Sequence, residues 1–175
     1  VPSEARLSPE LSPVPDFSVI VSTVAIAATT ENEEPAGCTV AVWGERTDPP
    51  LLLTALDRSS ATHAHVMSTS RFSANVLGVG QESIAWCFGA KSLSATERFA
   101  QIPWHVEDGV PVLDEARVVY VCSVESVAAF GSQDIVIGRV RTCTVRDASA
   151  APLLHYNGAM TTIQDSAHQD LAAPD

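Results

Sequence analysis

The chain has 175 residues and a mass of 18.5 kDa, the size of one domain with a core of its own. Hydrophobic residues make up 46% and charged residues 18%, which excludes a disordered chain. Ten Lys+Arg against 21 Asp+Glu leave a net charge of −11; such a surface repels phosphate backbones, so nucleic acid is not an expected partner, although a local site for one phosphate is allowed.

Residues 1–16 carry Pro2, Pro13 and Pro15 and read as a flexible N-terminal arm, because repeated Pro breaks helix and ladder alike. A domain over 17–163 and a disordered acidic tail over 164–175 complete the organisation. Within the domain, 19–28 reads as a buried strand, Glu31-Asn-Glu-Glu-Pro35 as a charged turn, and 38–43 as the next strand. Asp48-Pro-Pro50 forces an extended turn before a strand over 51–56. A short helix follows over 60–67, with Ser59 or Ser60 as N-cap. Residues 72–77 return to strand, and Gly78–Gly80 is a break. A second helix spans 81–88, with Gly89 as its stop. Residues 91–99 are partly helical. Val/Ile-rich strands follow over 116–127, 134–145 and 153–156, the last leading into an Asn157-Gly158 hairpin turn. Six or seven strands and two or three short helices predict a closed or nearly closed β-barrel with helical insertions. A βαβ sheet would need more crossover helices than the chain supplies.

The four cysteines, Cys38, Cys87, Cys122 and Cys143, are widely spaced and sit among apolar neighbours; they read as reduced core residues, with two disulfides as the alternative. The longest apolar run is about ten residues, too short to span a bilayer. No basic segment precedes it, so no signal peptide is read and a cytoplasmic location is expected. His63 and His65 lie two apart, which on a helix separates their rings, so no metal site is expected. Cys87 has no evident base, and no catalytic triad or dinucleotide fingerprint is present. Trp43, Trp86 and Trp104 read as core or rim residues, with the lining of a planar ligand pocket as the alternative.

The segment Leu56-Asp-Arg-Ser-Ser-Ala-Thr-His63 carries the clearest chemistry. A strand ends, an Arg and two hydroxyls follow, and a helix begins. A helix N-terminus with Ser59, Ser60 and Thr62 as hydroxyl donors and Arg58 as a charged one suits a phosphate. An ordinary Ser-capped helix with a solvated Arg is the alternative.

With Pro35-Ala-Gly-Cys-Thr-Val, Asp48-Pro-Pro-Leu-Leu-Leu, Arg71-Phe-Ser-Ala-Asn-Val-Leu, Glu97-Arg-Phe-Ala, Pro111-Val-Leu and Asp134-Ile-Val-Ile-Gly-Arg-Val, this segment resembles the flavin reductase-like family from about 23 to 163. The resemblance implies a mainly β, FMN-binding split barrel and a homodimer with FMN or FAD at the subunit interface. It places Thr39 on the strand lining the flavin and Asp57, Arg58, Ser59 and Ser60 at the phosphate and ribityl chain. Asn75 falls on a position that either contacts flavin or is structural, and Arg98 and Phe99 on a pair closing over the cofactor. Ala41, Val42 and Trp43 stand where the family has polar residues and Phe, and Gln133 stands at the His of a Gly-Asp-His motif where NADH or NADPH docks. The function implied is an NAD(P)H-dependent flavin reductase that supplies reduced flavin to a partner flavin-dependent monooxygenase. Two alternatives stay open: a split barrel repurposed for a small-molecule metabolite without a nicotinamide site, and a non-catalytic flavin-binding protein.

Overall fold

In the computed structural model, which describes residues 20–163, the chain's two longest Val-rich segments pair with each other as the spine of an antiparallel sheet. The expected arm (1–16) and tail (164–175) lie outside the described residues. The strands are β1 (Ser22–Thr23), β2 (Ala25–Glu31), β3 (Glu34–Val40), β4 (Val42–Glu45), β5 (Leu51–Asp57), β6 (Arg71–Val76), β7 (Trp104–Glu107), β8 (Val110–Leu113), β9 (Val118–Phe130), β10 (Gln133–Val145), β11 (Leu154–Tyr156) and β12 (Ala159–Thr161). The helices are α1 (Ala61–Thr69), α2 (Glu82–Gly89) and α3 (Ala95–Phe99).

Seven strands form the main sheet in the order β3-β2-β6-β9-β10-β5-β4. Its two edge strands, β3 and β4, are consecutive in sequence and separated by Ala41 alone. The chain thus leaves one edge and arrives at the other within one residue, and the sheet closes on itself. Two buried or half-buried threonines pin the seam. Thr54 Oγ1 donates to the Ala41 carbonyl at 3.0 Å. Thr23 Oγ1 donates to the Val42 carbonyl at 2.9 Å and accepts from the Val42 N–H at 3.0 Å. Backbone groups orphaned by the bend at Ala41 are satisfied by these side chains.

Both faces of the sheet are buried at β2, β6 and the first half of β9. Inside the barrel, Phe72, Leu52, Leu56, Val136 and Cys122 pack with Val66 of α1. On the outer face, Ile26, Val119 and Val121 pack under α2, α3 and the β7–β8 hairpin. This explains why β2 reads as an unbroken apolar run: its side chains alternate between two cores. Asn75 belongs to the outer layer. It is fully buried, donates to the Ile26 carbonyl and Ser73 Oγ, and accepts from the Leu113 N–H. It therefore ties β8 to the sheet.

The elements differ from expectation at definite places. The segment 38–43 is two strands, because Ala41 takes the chain across the seam. The residues 19–28 divide into β1 and β2, with Val19 outside the described residues. Pro35 sits inside β3 rather than in a turn; β3 is an edge strand, where a missing N–H is harmless. Gly89 is the last residue of α2, which stops at Ala90. α1 runs two residues further than expected, closed by Ser70 in the left-handed region at φ 55°. The β7–β8 hairpin was not anticipated, although its turn is Asp108-Gly109 with both φ positive. The Asn157-Gly158 turn forms as expected between β11 and β12. Among the described residues twelve strands replace the expected six or seven, because several are short.

The cysteines are all free, and Cys122 is buried, where desolvation pushes its thiol up to about 12. Cys143 is exposed, so it is not a core residue. Trp43 and Trp86 are exposed, at 71% and 55%, and Trp104 packs edge-on to Phe99 with ring centroids 5.2 Å apart.

Gly138 sits at a register shift between β9 and β10. A Cβ there would lie 2.7 Å from Phe72 Cζ and 2.9 Å from Cys122 Cβ. Gly138→Ala is expected to destabilise the fold by about 1–3 kcal/mol through overpacking, measured by chemical denaturation; an unchanged midpoint would contradict this packing.

Candidate functional site

Strand β4 pairs with Leu51–Thr54 only, so Ala55, Leu56 and Asp57 have no ladder partner on that side. Strand β3 diverges from the same point, Ala41, toward the other edge. The opening between β3 and β5 is a cleft of about 490 Å³, within the range of small-molecule sites. Its walls are β3 (Ala36 to Val40), the end of β5, the N-terminus of α1 and the α2–α3 segment.

The α1 end is built locally. Asp57 accepts from Ser59 N–H at 2.8 Å and Ser59 Oγ at 2.7 Å. The Ser59 hydroxyl is the main cause that holds the Asp57 carboxyl below its ordinary range. Ser60 is the N-cap: its Oγ accepts from His63 N–H at 3.1 Å and donates to the Asp57 carbonyl at 2.7 Å. Thr62 is buried, with its hydroxyl against the Cys38 thiol. Burial pushes that thiol up despite this bond and the nearby Arg98 charge. Ser59 and Ser60 are therefore in the cleft, but their protons are already given to Asp57. The groups left for an anion are the Ala61 and Thr62 N–H groups at the helix N-terminus.

The opposite wall supplies positive charge. Arg98 donates from Nη1 to the Gly37 carbonyl at 2.9 Å and from Nη2 to the Ala90 carbonyl at 2.6 Å, which clamps α3 onto β3 and α2. Its Nε is buried without a partner. Lys91 also lines the cleft and is the chain's only lysine. Thr39 Oγ1 donates to the Ala85 carbonyl at 2.6 Å, so Thr39 fixes α2 against β3. A Cβ at Gly37 would lie 2.9 Å from Phe88 Cε1; glycine permits that close approach.

Of the residues singled out from sequence, Thr39, Asp57, Ser59, Ser60, Thr62, Arg98 and Gln133 meet in this one cleft. The others lie elsewhere. Phe99 is buried, edge-on to Phe88 with centroids 5.0 Å apart. Asn75 is locked between sheet and β8. Ala41 and Val42 are in the seam, and the Val42 N–H is taken by Thr23. Trp43 projects from β4 into solvent. Arg58 is turned away from the cleft toward the β9–β10 turn, where it donates to the Gly131 carbonyl and, from Nε, pairs with Asp134 Oδ1 at 3.2 Å. Sequence reasoning passed over Lys91, Cys38, Leu93 and Ser94. A lone lysine in a chain of net charge −11 was the usable signal for the first.

A family model for the flavin reductase like domain matches residues 17–164, most of the chain. The chain belongs to the flavin reductase-like domain family. Among curated relatives, FMN reductase (NADH) RutF of Pseudomonas syringae is 35% identical over 125 residues, covering 70% of this chain and 68% of that protein. Nitrilotriacetate monooxygenase component B from Mycobacterium thermoresistibile is 26% identical, with a TM-score of 0.81 over 90% of this chain and 88% of that one. NADH:FAD oxidoreductase SgcE6 of Streptomyces globisporus, solved with NAD and FAD fragments, shares the fold at 22% identity and a TM-score of 0.79, covering 87% and 91%.

The residues present fit the family's flavin. The α1 N–H groups and Lys91 suit its phosphate, the unpartnered Arg98 Nε offers one further donor, and Ala36, Val40, Ala55 and Phe88 supply apolar wall for a planar ring. Ser60→Ala is expected to cost about 1 kcal/mol of stability through the lost cap and to weaken FMN binding as α1 frays. Denaturation and flavin-fluorescence titration check both; unchanged values would contradict the role of this cap.

Proposed function

We propose that the protein is an NAD(P)H-dependent flavin reductase that binds FMN or FAD in the β3–β5 cleft and supplies reduced flavin to a partner oxygenase. The observation that carries this reading is the cleft itself. Its lining combines the N-terminus of α1, the cations Lys91 and Arg98, and the apolar Ala36, Val40, Ala55 and Phe88. The names of its relatives, an FMN reductase that uses NADH and a monooxygenase component, support the same reading.

The bound flavin supplies hydride acceptance and electron release. The chain's residues bind, orient and exclude water. The α1 N-terminus anchors the anionic end, and Arg98 keeps α3 closed against β3. Gln133 and Asp57 are register partners on adjacent strands, so both face the cleft from one side. Gln133 offers an amide for hydrogen bonding and does not titrate. Ala41, Val42 and Trp43 are not among the residues that line this cleft.

Anaerobic addition of NADH or NADPH to the protein with FMN is expected to bleach the flavin's long-wavelength band within many turnovers. Flavin binding without bleaching by either nucleotide would overturn the reductase reading.

We also infer a homodimer. Strand β5 is apolar on both faces: Leu52 and Leu56 point into the barrel, while Leu51, Leu53 and Ala55 point out. Leu53 is flanked in register by Trp43 and Ile137. An exposed apolar stripe of this kind marks an interface, and it runs directly into the cleft wall at Ala55, so a second copy seated there would help to wall the site. Leu53→Glu is expected to yield a monomer by light scattering and to lower FMN affinity about ten-fold or more. A monomeric wild-type protein at micromolar concentration would contradict the dimer.

A further inference from the structure

The barrel has a second mouth. Strand β5 runs antiparallel to β10, with Leu51 beside Arg139 at one end and Asp57 beside Gln133 at the other. Asp57 and Gln133 line the cleft described above. At the opposite end of the same strand pair, Leu51, Leu52, Val140 and Cys143 open onto a separate cavity of about 440 Å³. About six residues of strand place the two roughly 20 Å apart, and they share no lining residue. Leu56, Phe72 and Val136, all buried, fill the barrel between them.

This cavity has the size of a small-molecule site, and its chemistry is divided between wall and rim. Leu52, Val76, Tyr120 and Val140 make the wall apolar. Thr23 also lines it, but its hydroxyl is committed to both backbone groups of Val42. The rim carries Glu45 and Arg46, both exposed. Glu45 Oε1 accepts from the Arg46 N–H at 3.0 Å. The Arg46 guanidinium makes no ion pair or hydrogen bond among the described residues. That sets it apart in a chain of net charge −11: every other described Arg bonds a carboxylate or a backbone carbonyl. Lys91 is the other described cation without a partner, and it lines the first cleft. Each of the two cavities therefore carries a cation that the protein itself leaves uncommitted.

We propose that this second mouth binds a small monocarboxylate with an apolar body. The body lies against Leu52, Val76, Tyr120 and Val140, and the carboxylate pairs with Arg46. The planar fork of Arg matches a carboxylate through two parallel bonds. Glu45 sets the charge of the ligand, because its carboxylate beside Arg46 repels a phosphate dianion more than a single negative charge. An uncharged apolar molecule gains the burial but leaves Arg46 unused. The site does not rest on the reductase reading.

The test is isothermal titration of the full chain with octanoate, and with 1-octanol as the uncharged control, with and without saturating FMN. Octanoate is expected to bind saturably and about five-fold or more tighter than octanol, with FMN changing its Kd less than about two-fold. Arg46→Gln should raise the octanoate Kd about five-fold and leave that of octanol unchanged. Val140→Phe fills the cavity and should abolish binding of both. Should that variant fail to fold in thermal melting, Arg46→Gln, at an exposed position, carries the test. An absence of saturable octanoate binding, an affinity indifferent to Arg46→Gln, or displacement of octanoate by FMN would each overturn the site. Binding that appears only in Leu53→Glu would assign the mouth to a second copy of the chain, and would overturn it as well.

Discussion

Everything in this molecule depends on one backbone crossing. At Ala41 the chain passes from one edge of a seven-stranded sheet to the other, and Thr23 and Thr54 satisfy the polar groups exposed by the bend. That crossing closes the barrel. It also requires β3 and β5 to diverge, because β4 pairs with the first half of β5 only. The cleft is this divergence. Edge strands elsewhere invite aggregation; here the edge of β3 and the unpaired end of β5 line a cleft.

The cleft illustrates how hydroxyl groups near a helix N-terminus divide their work. Ser59 and Ser60 have the composition of anion ligands, yet their protons go to Asp57, and the backbone is left to meet a ligand. Arg58 has the composition of a phosphate ligand, yet its guanidinium is used up by the β9–β10 turn and Asp134. Positive charge comes instead from Lys91 and Arg98 across the gap. A segment can therefore carry a family's binding pattern while its individual side chains brace the site from behind.

Much of the fold was legible because its signals are local. Val/Ile runs gave the long strands, Asn157-Gly158 gave its hairpin, and Ser60 gave the start of α1. The division at Ala41 was not legible: nothing in Val40-Ala41-Val42 breaks a strand, and the crossing is imposed by closure of the whole sheet. Asn75 could be read either way, since an amide on a strand serves a ligand or a neighbouring strand equally well; burial under β8 decided it. Ser94-x-x-Glu97 has the spacing of a capping box, and one forms at α3. Seven of thirteen candidate residues share the cleft, chiefly those on β5, α1 and α3, where chain order and spatial order coincide. Trp43 and Val42 fall on the far side of the crossing, which sequence spacing does not reveal.

The central claim is that flavin lies in the divergence between β3 and β5, with its phosphate on the N-terminus of α1. The most direct measurement is a crystal structure of the FMN complex. The account predicts phosphate oxygens within hydrogen-bond distance of the Ala61 and Thr62 N–H groups, with Lys91 facing them. Flavin bound elsewhere, for example on the exposed stripe beside Trp43 with the α1 N-terminus empty, would contradict it.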